Sequence, residues 1–158
     1  MTRTRSEHRL HSIDLGRLRP APEHVRAVAA TDRDALARLV LDAYRGTVDD
    51  EGETLDDALD AADLWLRLAL APHSLVLEEH GQMIAASFVV TVDDRAYIDP
   101  VVVAASAKRR GLGAAIVSTS IRSLHDVGVV EVGATITDGN VASERLFASL
   151  GFVRVGAW

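Results

Sequence analysis

The stretch Lys108-Arg109-Arg110-Gly111-Leu112-Gly113-Ala114-Ala115 sets three cations directly before two glycines, between an apolar run (Ile98 to Ala105) and an alanine-rich, helix-forming segment. At a helix start several backbone N–H groups lack intrahelical partners and the dipole is positive, so an anion is stabilised there; glycine lets it approach the backbone closely. The stretch therefore reads as an anion-binding turn that suits a diphosphate. Two other phosphate loops fail on what surrounds Gly113. A P-loop ends in Gly-Lys-Ser/Thr, and Ala114 and Ala115 stand there instead; a dinucleotide fingerprint needs Gly or Ala at the position of Ile116 and an opening βαβ unit before it. The plainer alternative is a glycine-shaped turn with solvated arginines.

Working outward, Ser74–Glu78, Met83–Val92 and Ala96–Val103 are strand-like runs joined by His80-Gly81 and Asp93-Asp94. Connections this short demand antiparallel hairpins. Beyond the loop the pattern predicts a helix over 112–126 ended by Val127-Gly128, then a strand over 130–137, parallel to the one before the loop because the crossover is right-handed. Asp138-Gly139-Asn140 turns into a helix to Leu150, Gly151 ends it, and Phe152 to Trp158 is the last strand. Upstream, Val25–Ala30 reads as a strand. Thr31 with Asp34 opens a helix whose Leu36, Leu39, Val40 and Ala43 share a face. Thr54 caps a second helix with Leu55, Ala58, Leu59, Ala62, Leu66 and Ala69 inward, stopped before Pro72. The expected fold class is mixed α/β, a central mixed sheet in the order β-α-α-β-β-β-α-β-α-β with helices on both faces. Residues 1–22, basic and without periodicity, are expected to form a flexible arm before a single domain over 23–158.

Composition narrows the function. A chain of 158 residues suits one core and not two. With no cysteine there is no disulfide framework, no thiolate metal site and no protein-thioester intermediate. The six histidines have no metal-ligand spacing, so no metal is expected. A net charge of −6 argues against a nucleic-acid partner. No apolar run approaches the ~18 residues of a membrane span and the N-terminus has no apolar leader, so the expectation is a cytoplasmic protein without a membrane partner. Charge is unevenly placed: Gly46 to Leu66 holds no Lys or Arg, while Asp49, Asp50, Glu51 and Glu53 cluster there.

The loop and a second motif together resemble the GNAT superfamily of acetyl-CoA-dependent acyltransferases. The diphosphate signature Q/R-x-x-G-x-G/A after a strand ending in valine is matched by Val103 to Ala114, with Lys108 where Arg or Gln is usual. The signature N-x-x-A-x-x-L-Y-x-x-L-G-F is matched by Asn140 to Phe152, with Ser143 for Ala and Phe147 for Tyr. The resemblance implies acetyl-CoA as co-substrate, held by the amides of Arg109, Arg110, Gly111, Leu112, Gly113 and Ala114 beside Lys108. It also implies a pantetheine arm laid along Val101, Val102 and Val103, and Asn140 and Phe147 on the coenzyme side.

The implied reaction is acetyl transfer in a ternary complex to a primary amine. An amine with pKa near ~10.4 is protonated at neutral pH, and freeing its lone pair costs roughly 4 kcal/mol, so a base is needed. Tyr97 and Asp99 share one strand face, and Tyr97 stands where some relatives place a glutamate base; Asp99, before Pro100, equally suits a strand bend. The resemblance puts the acceptor beside the acidic loop, with Tyr44, Glu51 and Glu53 as candidate contacts to a cationic amine; a solvated acidic face is the alternative. Phe147 replaces the family's usual acid and cannot donate a proton, which leaves a second reading open, an acyl-CoA-binding sensor or regulatory module. The last hairpin of the resemblance is incomplete after Phe152, so either the basic arm or a second subunit of a homodimer is expected to cover that sheet edge.

Overall fold

Two short turns at residues 80–81 and 93–94 fold β3 (Leu75–Glu79), β4 (Gln82–Val92) and β5 (Arg95–Val103) into an antiparallel meander. These strands come from a computed structural model that describes residues 3–158; residues 1 and 2 of the expected arm lie outside the described residues. The other elements are β1 (Arg5–Leu10), β2 (Val25–Ala27), α1 (Arg33–Tyr44), α2 (Leu55–Leu68), α3 (Leu112–Asp126), β6 (Val132–Thr137), α4 (Val141–Ser149) and β7 (Val153–Ala157). They build one seven-stranded mixed sheet in the order β2-β3-β4-β5-β6-β1-β7, in which β5 and β6 run parallel across the α3 crossover as expected.

Local sequence accounts for the helices. Thr54 caps α2 through its hydroxyl to Asp57 N (3.2 Å) while Asp57 Oδ2 accepts from Thr54 N (2.9 Å), a reciprocal box that satisfies two open amides. Leu55, expected inward, is 42% exposed at the first helical position. The box expected at Thr31 and Asp34 is replaced by a tighter turn, where Asp32 Oδ2 accepts from Ala29 N at 2.8 Å and Arg26 pairs with the same carboxylate at 2.8 Å. The first predicted strand is therefore cut back to Val25–Ala27. One apolar cluster joins α1 and α2 to β3 and β4 through Leu36, Val40, Val76 and Phe88. A second joins α3 and α4 to the other half of the sheet through Val117, Ile121, Val132, Phe147, Leu150 and Phe152.

The structure corrects the expected flexible arm. Arg5–Leu10 is an interior strand, antiparallel to β6 from Arg5↔Thr137 to Leu10↔Val132 and to β7 on its other side. It takes the position that the sequence left open beside the last strand. Its apolar alternation is missing because one face is built from charges with distant partners. Arg9, 4% exposed, donates to Tyr97 Oη (2.6 Å) and Glu131 Oε1 (3.1 Å), and Arg5 pairs with Asp99. On the opposite face Ser6 bonds Asp138 and Arg154, and Leu10 enters the second cluster. Buried charge is tolerated only when paired and hydrogen-bonded, and each partner lies far along the chain.

Candidate active site

β5 and β6 start together and then part. They pair only at Tyr97↔Gly133 and Ile98↔Ala134. A bulge then sets Ile98 to Val101 of β5 against Ser87 to Val89 of β4, and an extra residue of this kind bends a strand away from its neighbour. Ala104 N donates to Ile84 O of β4 at 2.8 Å. Backbone alternation therefore turns Val102 toward β4, and the N–H and C=O of Val101 and Val103 toward the gap.

At the mouth of the gap the chain coils into the start of α3. Lys108 is extended (φ −65°, ψ 156°) and is followed by positive φ at Arg109 (+66°) and Gly111 (+74°), a tight turn that delivers the chain into the first turn of α3. No side chain caps α3, and its first bond runs from Ala115 N to Gly111 O at 3.1 Å. The amides of Leu112, Gly113 and Ala114 have no intrahelical acceptor. A cleft of about 710 Å³ extends from them along Val101, Val102 and Val103 to Asn140 and Ser143 at the start of α4. Open amides at one end and an unpaired strand edge along the side fit a diphosphate joined to an amide-bearing arm.

The three cations separate. Arg109 and Lys108 line the cleft, and Lys108 Nζ also donates to Ala43 O at the end of α1 (2.9 Å). Arg110 turns away and forms a two-pronged pair with Glu79 (3.0 and 2.8 Å), so its side chain lies outside the cleft. The glycines separate too. Gly111 is favoured by its positive φ, whereas a Cβ on Gly113 would lie 2.7 Å from Leu146 Cδ1, so that glycine lets α3 close on α4.

The cleft ends at a second, smaller cavity of about 40 Å³, walled by Arg5, Tyr44, Asp49, Asp99, Thr135 and Phe147 among others. That is space for about two or three waters or the ammonium end of a chain. Asp99 faces it, gripped by Arg5 Nη2 at 2.9 Å and Nη1 at 3.2 Å, and Arg5 also donates to Thr135 O at 3.1 Å. Burial opposes the charge on Arg5, but the bonds and charge of Asp99 outweigh it and raise the guanidinium pKa. Among the described residues Arg5 Nε and Thr135 Oγ1 are buried without a partner. Asp49 reaches across from the acidic loop to accept from Thr137 Oγ1 (2.8 Å) and Asn140 Nδ2 (3.0 Å). Asn140 meanwhile caps α4 through Oδ1 to Ser143 N (3.1 Å), so its side chain both starts the helix and lines the two cavities.

The remaining candidates fall elsewhere. Tyr97 lines neither cavity; it bonds Glu7 and Arg9 and packs tilted against Trp158 at 5.2 Å between ring centroids, and burial, followed by the bond to Glu7, raises its pKa. Tyr97 and Asp99 do share a face, yet only Asp99 reaches the site. Glu51 pairs with Arg3 (3.3 Å), Glu53 Oε2 accepts from Glu51 N (3.1 Å), and neither lines a cavity. Phe147 is buried edge-on against Phe152 at 5.0 Å and borders the small cavity rather than the cleft.

The acetyltransferase (GNAT) family model matches residues 33–152, a span that holds the anion loop, the parted strands and the start of α4. This chain belongs to the GNAT acetyltransferase family. Among solved structures it is similar to a GNAT-family acetyltransferase from Colwellia psychrerythraea, at TM-score 0.74 and 13% identity, covering 99% of this chain and 54% of that one. A GCN5-related N-acetyltransferase from Sphaerobacter thermophilus gives TM-score 0.68 at 18% identity, over 98% of this chain and 49% of that one. A ribosomal-protein-alanine N-acetyltransferase from Brucella melitensis gives 0.64 at 26% identity, over 82% and 83%. The chain thus spans about half the length of the first two. No curated protein matches it.

Within this GNAT fold, the sequence missed Arg5, Asp49, Thr135 and Thr137 at the inner cavity. Asp49 lies in the acidic cluster that drew attention to Glu51 and Glu53, but only the folded loop shows which carboxylate turns inward. Arg5 carried no signal apart from the alternation of charge Arg5-Glu7-Arg9. Among the described residues no group of three or more His, Cys, Asp or Glu is placed to hold a metal ion, and no helix is long and apolar enough to cross a membrane.

Proposed function

We propose that this domain transfers the acetyl group of acetyl-CoA directly to a primary amine, with both substrates bound at once. The observation that carries this is continuity: the open amides of α3, the free edge of β5 and the carboxylate-bearing inner cavity form one path. The diphosphate sits at Gly111 to Ala114, and the pantetheine amides pair with Val101 and Val103 as an added strand. The thioester then lies where cleft and cavity meet. Asp99 opens onto the cavity and takes the proton from the incoming ammonium, and Asp49 adds negative charge that favours a cationic acceptor. The Brucella melitensis neighbour, whose name gives alanine of a ribosomal protein as its acceptor, supports an amine of this class.

The nitrogen attacks the thioester carbonyl, the C–N bond forms and the C–S bond breaks; the acceptor nitrogen gives up two protons in all, one to Asp99 before attack and one as the amide forms, and coenzyme A leaves as the thiol with one proton gained. The absence of cysteine fits direct transfer. Mixing the protein with acetyl-CoA and a panel of polyamines, amino acids and peptides, and following free thiol, tests the reading. Acceptor-dependent release is expected. Tight coenzyme binding with no release on any amine favours the sensor module, and thermal stabilisation by ATP or NAD in preference to coenzyme A sinks both.

A further inference from the structure

We propose that Tyr44 is the proton donor to the departing sulfur, a role that Phe147 cannot fill; this rests on the acetyltransferase reading above. Tyr44 is the last residue of α1 and one of the few that line both the cleft and the inner cavity, where the thioester must lie. The other residues common to both offer little acidity. Val101 has none, Asp49 is an acceptor when ionised, the Asn140 amide is engaged by Asp49, and a serine hydroxyl such as that of Ser143 is a far weaker acid than a phenol.

The surroundings hold this phenol ready. The Tyr44 carbonyl accepts from Thr47 N (2.9 Å) and Thr47 Oγ1 (2.8 Å), while among the described residues its hydroxyl has no hydrogen-bond partner. The neighbouring carbonyl, Ala43 O, takes the Lys108 ammonium of the coenzyme loop, so the end of α1 is tied to the segment that positions the diphosphate. Burial first, then the charges of Asp49 and Asp99, push the Tyr44 pKa up, so the phenol is protonated at neutral pH but is a weaker acid than in water, and it yields its proton only to a strong base such as the thiolate that forms beside it. The same water-poor setting raises the basicity of the leaving thiolate. As the C–S bond breaks, the Tyr44 proton passes to sulfur, the phenolate is reprotonated through solvent by the second proton that the nitrogen gives up on becoming an amide, and Asp99 releases to solvent the first proton taken from the ammonium. Phe147 borders the same small cavity, so a hydroxyl placed at either residue meets the same space.

The test compares wild type, Tyr44→Phe, and Tyr44→Phe combined with Phe147→Tyr, in steady-state acetylation of the best amine and in calorimetric titration with coenzyme A. The expected result is a fall of about 10²-fold in kcat for Tyr44→Phe, the lower end of general acid catalysis, with coenzyme affinity unchanged and at least about tenfold recovered in the double variant. A merely structural role for Tyr44 predicts no such rescue. Undiminished kcat in Tyr44→Phe, or a loss that Phe147→Tyr does not recover, overturns the assignment and leaves the acetyltransferase reading standing. A wild-type protein that neither binds coenzyme A nor acetylates any amine overturns both.

Discussion

The cleft proposed for the coenzyme and the cavity at its inner end are built from different material. The cleft is largely main chain: the edge of β5, the coil of residues 108–111 and the open turn of α3 follow one another within a single stretch of sequence. The cavity is largely side chain, and its Arg5–Thr135 contact alone joins residues 130 apart. A site made of backbone tolerates many side-chain replacements and fails only when something intrudes. A site made of converging side chains fails one group at a time, because each removal leaves a buried partner exposed or unpaired.

Intrusion should therefore give the largest effect. Gly111→Glu forces a side chain onto a φ of +74°, a strain of roughly 1–2 kcal/mol that the fold can absorb. It also projects a carboxylate toward the place of a diphosphate. Like charges brought together cost several kcal/mol, so coenzyme A affinity should fall by ~10² or more, while circular dichroism and the melting cooperativity stay those of the parent. A folded variant that binds coenzyme A as tightly as before removes the anion site from α3.

Next comes the cavity. Asp99→Asn keeps the size of the side chain and the acceptor for Arg5 but removes the proposed base. We expect kcat to drop about 10²-fold at neutral pH with the acetyl-CoA dissociation constant unchanged, and the loss to shrink as pH rises and the ammonium gives up its proton to solvent without help. Equal losses at every pH would show that Asp99 only shapes the cavity. Arg5→Ala is milder. The carboxylate remains, but its two-pronged anchor is gone, and a misplaced catalytic group typically costs less than a missing one. A fall of about tenfold in kcat, again without change in coenzyme affinity, is expected; a matching loss of coenzyme affinity would make cleft and cavity a single unit.

The same contrast explains what was legible in the sequence. Gly111, Asn140, the meander and the α3 crossover were readable because each depends on neighbours a few residues away: a turn, a cap, a hairpin. β1 was not, because its inward residues are Ser6 and His8 beside Leu10, and the charges of its other face find their partners at distant Tyr97, Asp99, Glu131 and Thr135. Charge pairing across 90 or more residues leaves no period to count. Asp49 was hidden differently, inside a run of acids whose members are equivalent until the loop folds against Thr137 and Asn140.

The smallest effect is expected where sequence and structure differ within the cleft itself. The sequence grouped Arg110 with Lys108 and Arg109, and a grip made by side-chain charge would lose much of its strength with any of them. The structure has Arg110 occupied by Glu79 at 3.0 and 2.8 Å, half-exposed and turned from the cleft, while the Arg110 amide stays in the coil that any residue can provide. Glu79 holds that guanidinium in its charged form and is itself kept below the usual carboxylate range by the same bond. Arg110→Ala removes a cation that is already neutralised by Glu79 and leaves the lone Glu79 carboxylate half-exposed on the side turned from the cleft, where solvent screens it. Calorimetric titration with coenzyme A should show a change of less than about threefold, against a much larger loss for Gly111→Glu one residue away. A tenfold loss at Arg110→Ala would mean that the ion pair opens when coenzyme binds and that the cleft relies on side-chain charge after all, which would narrow the distance between the two halves of the site.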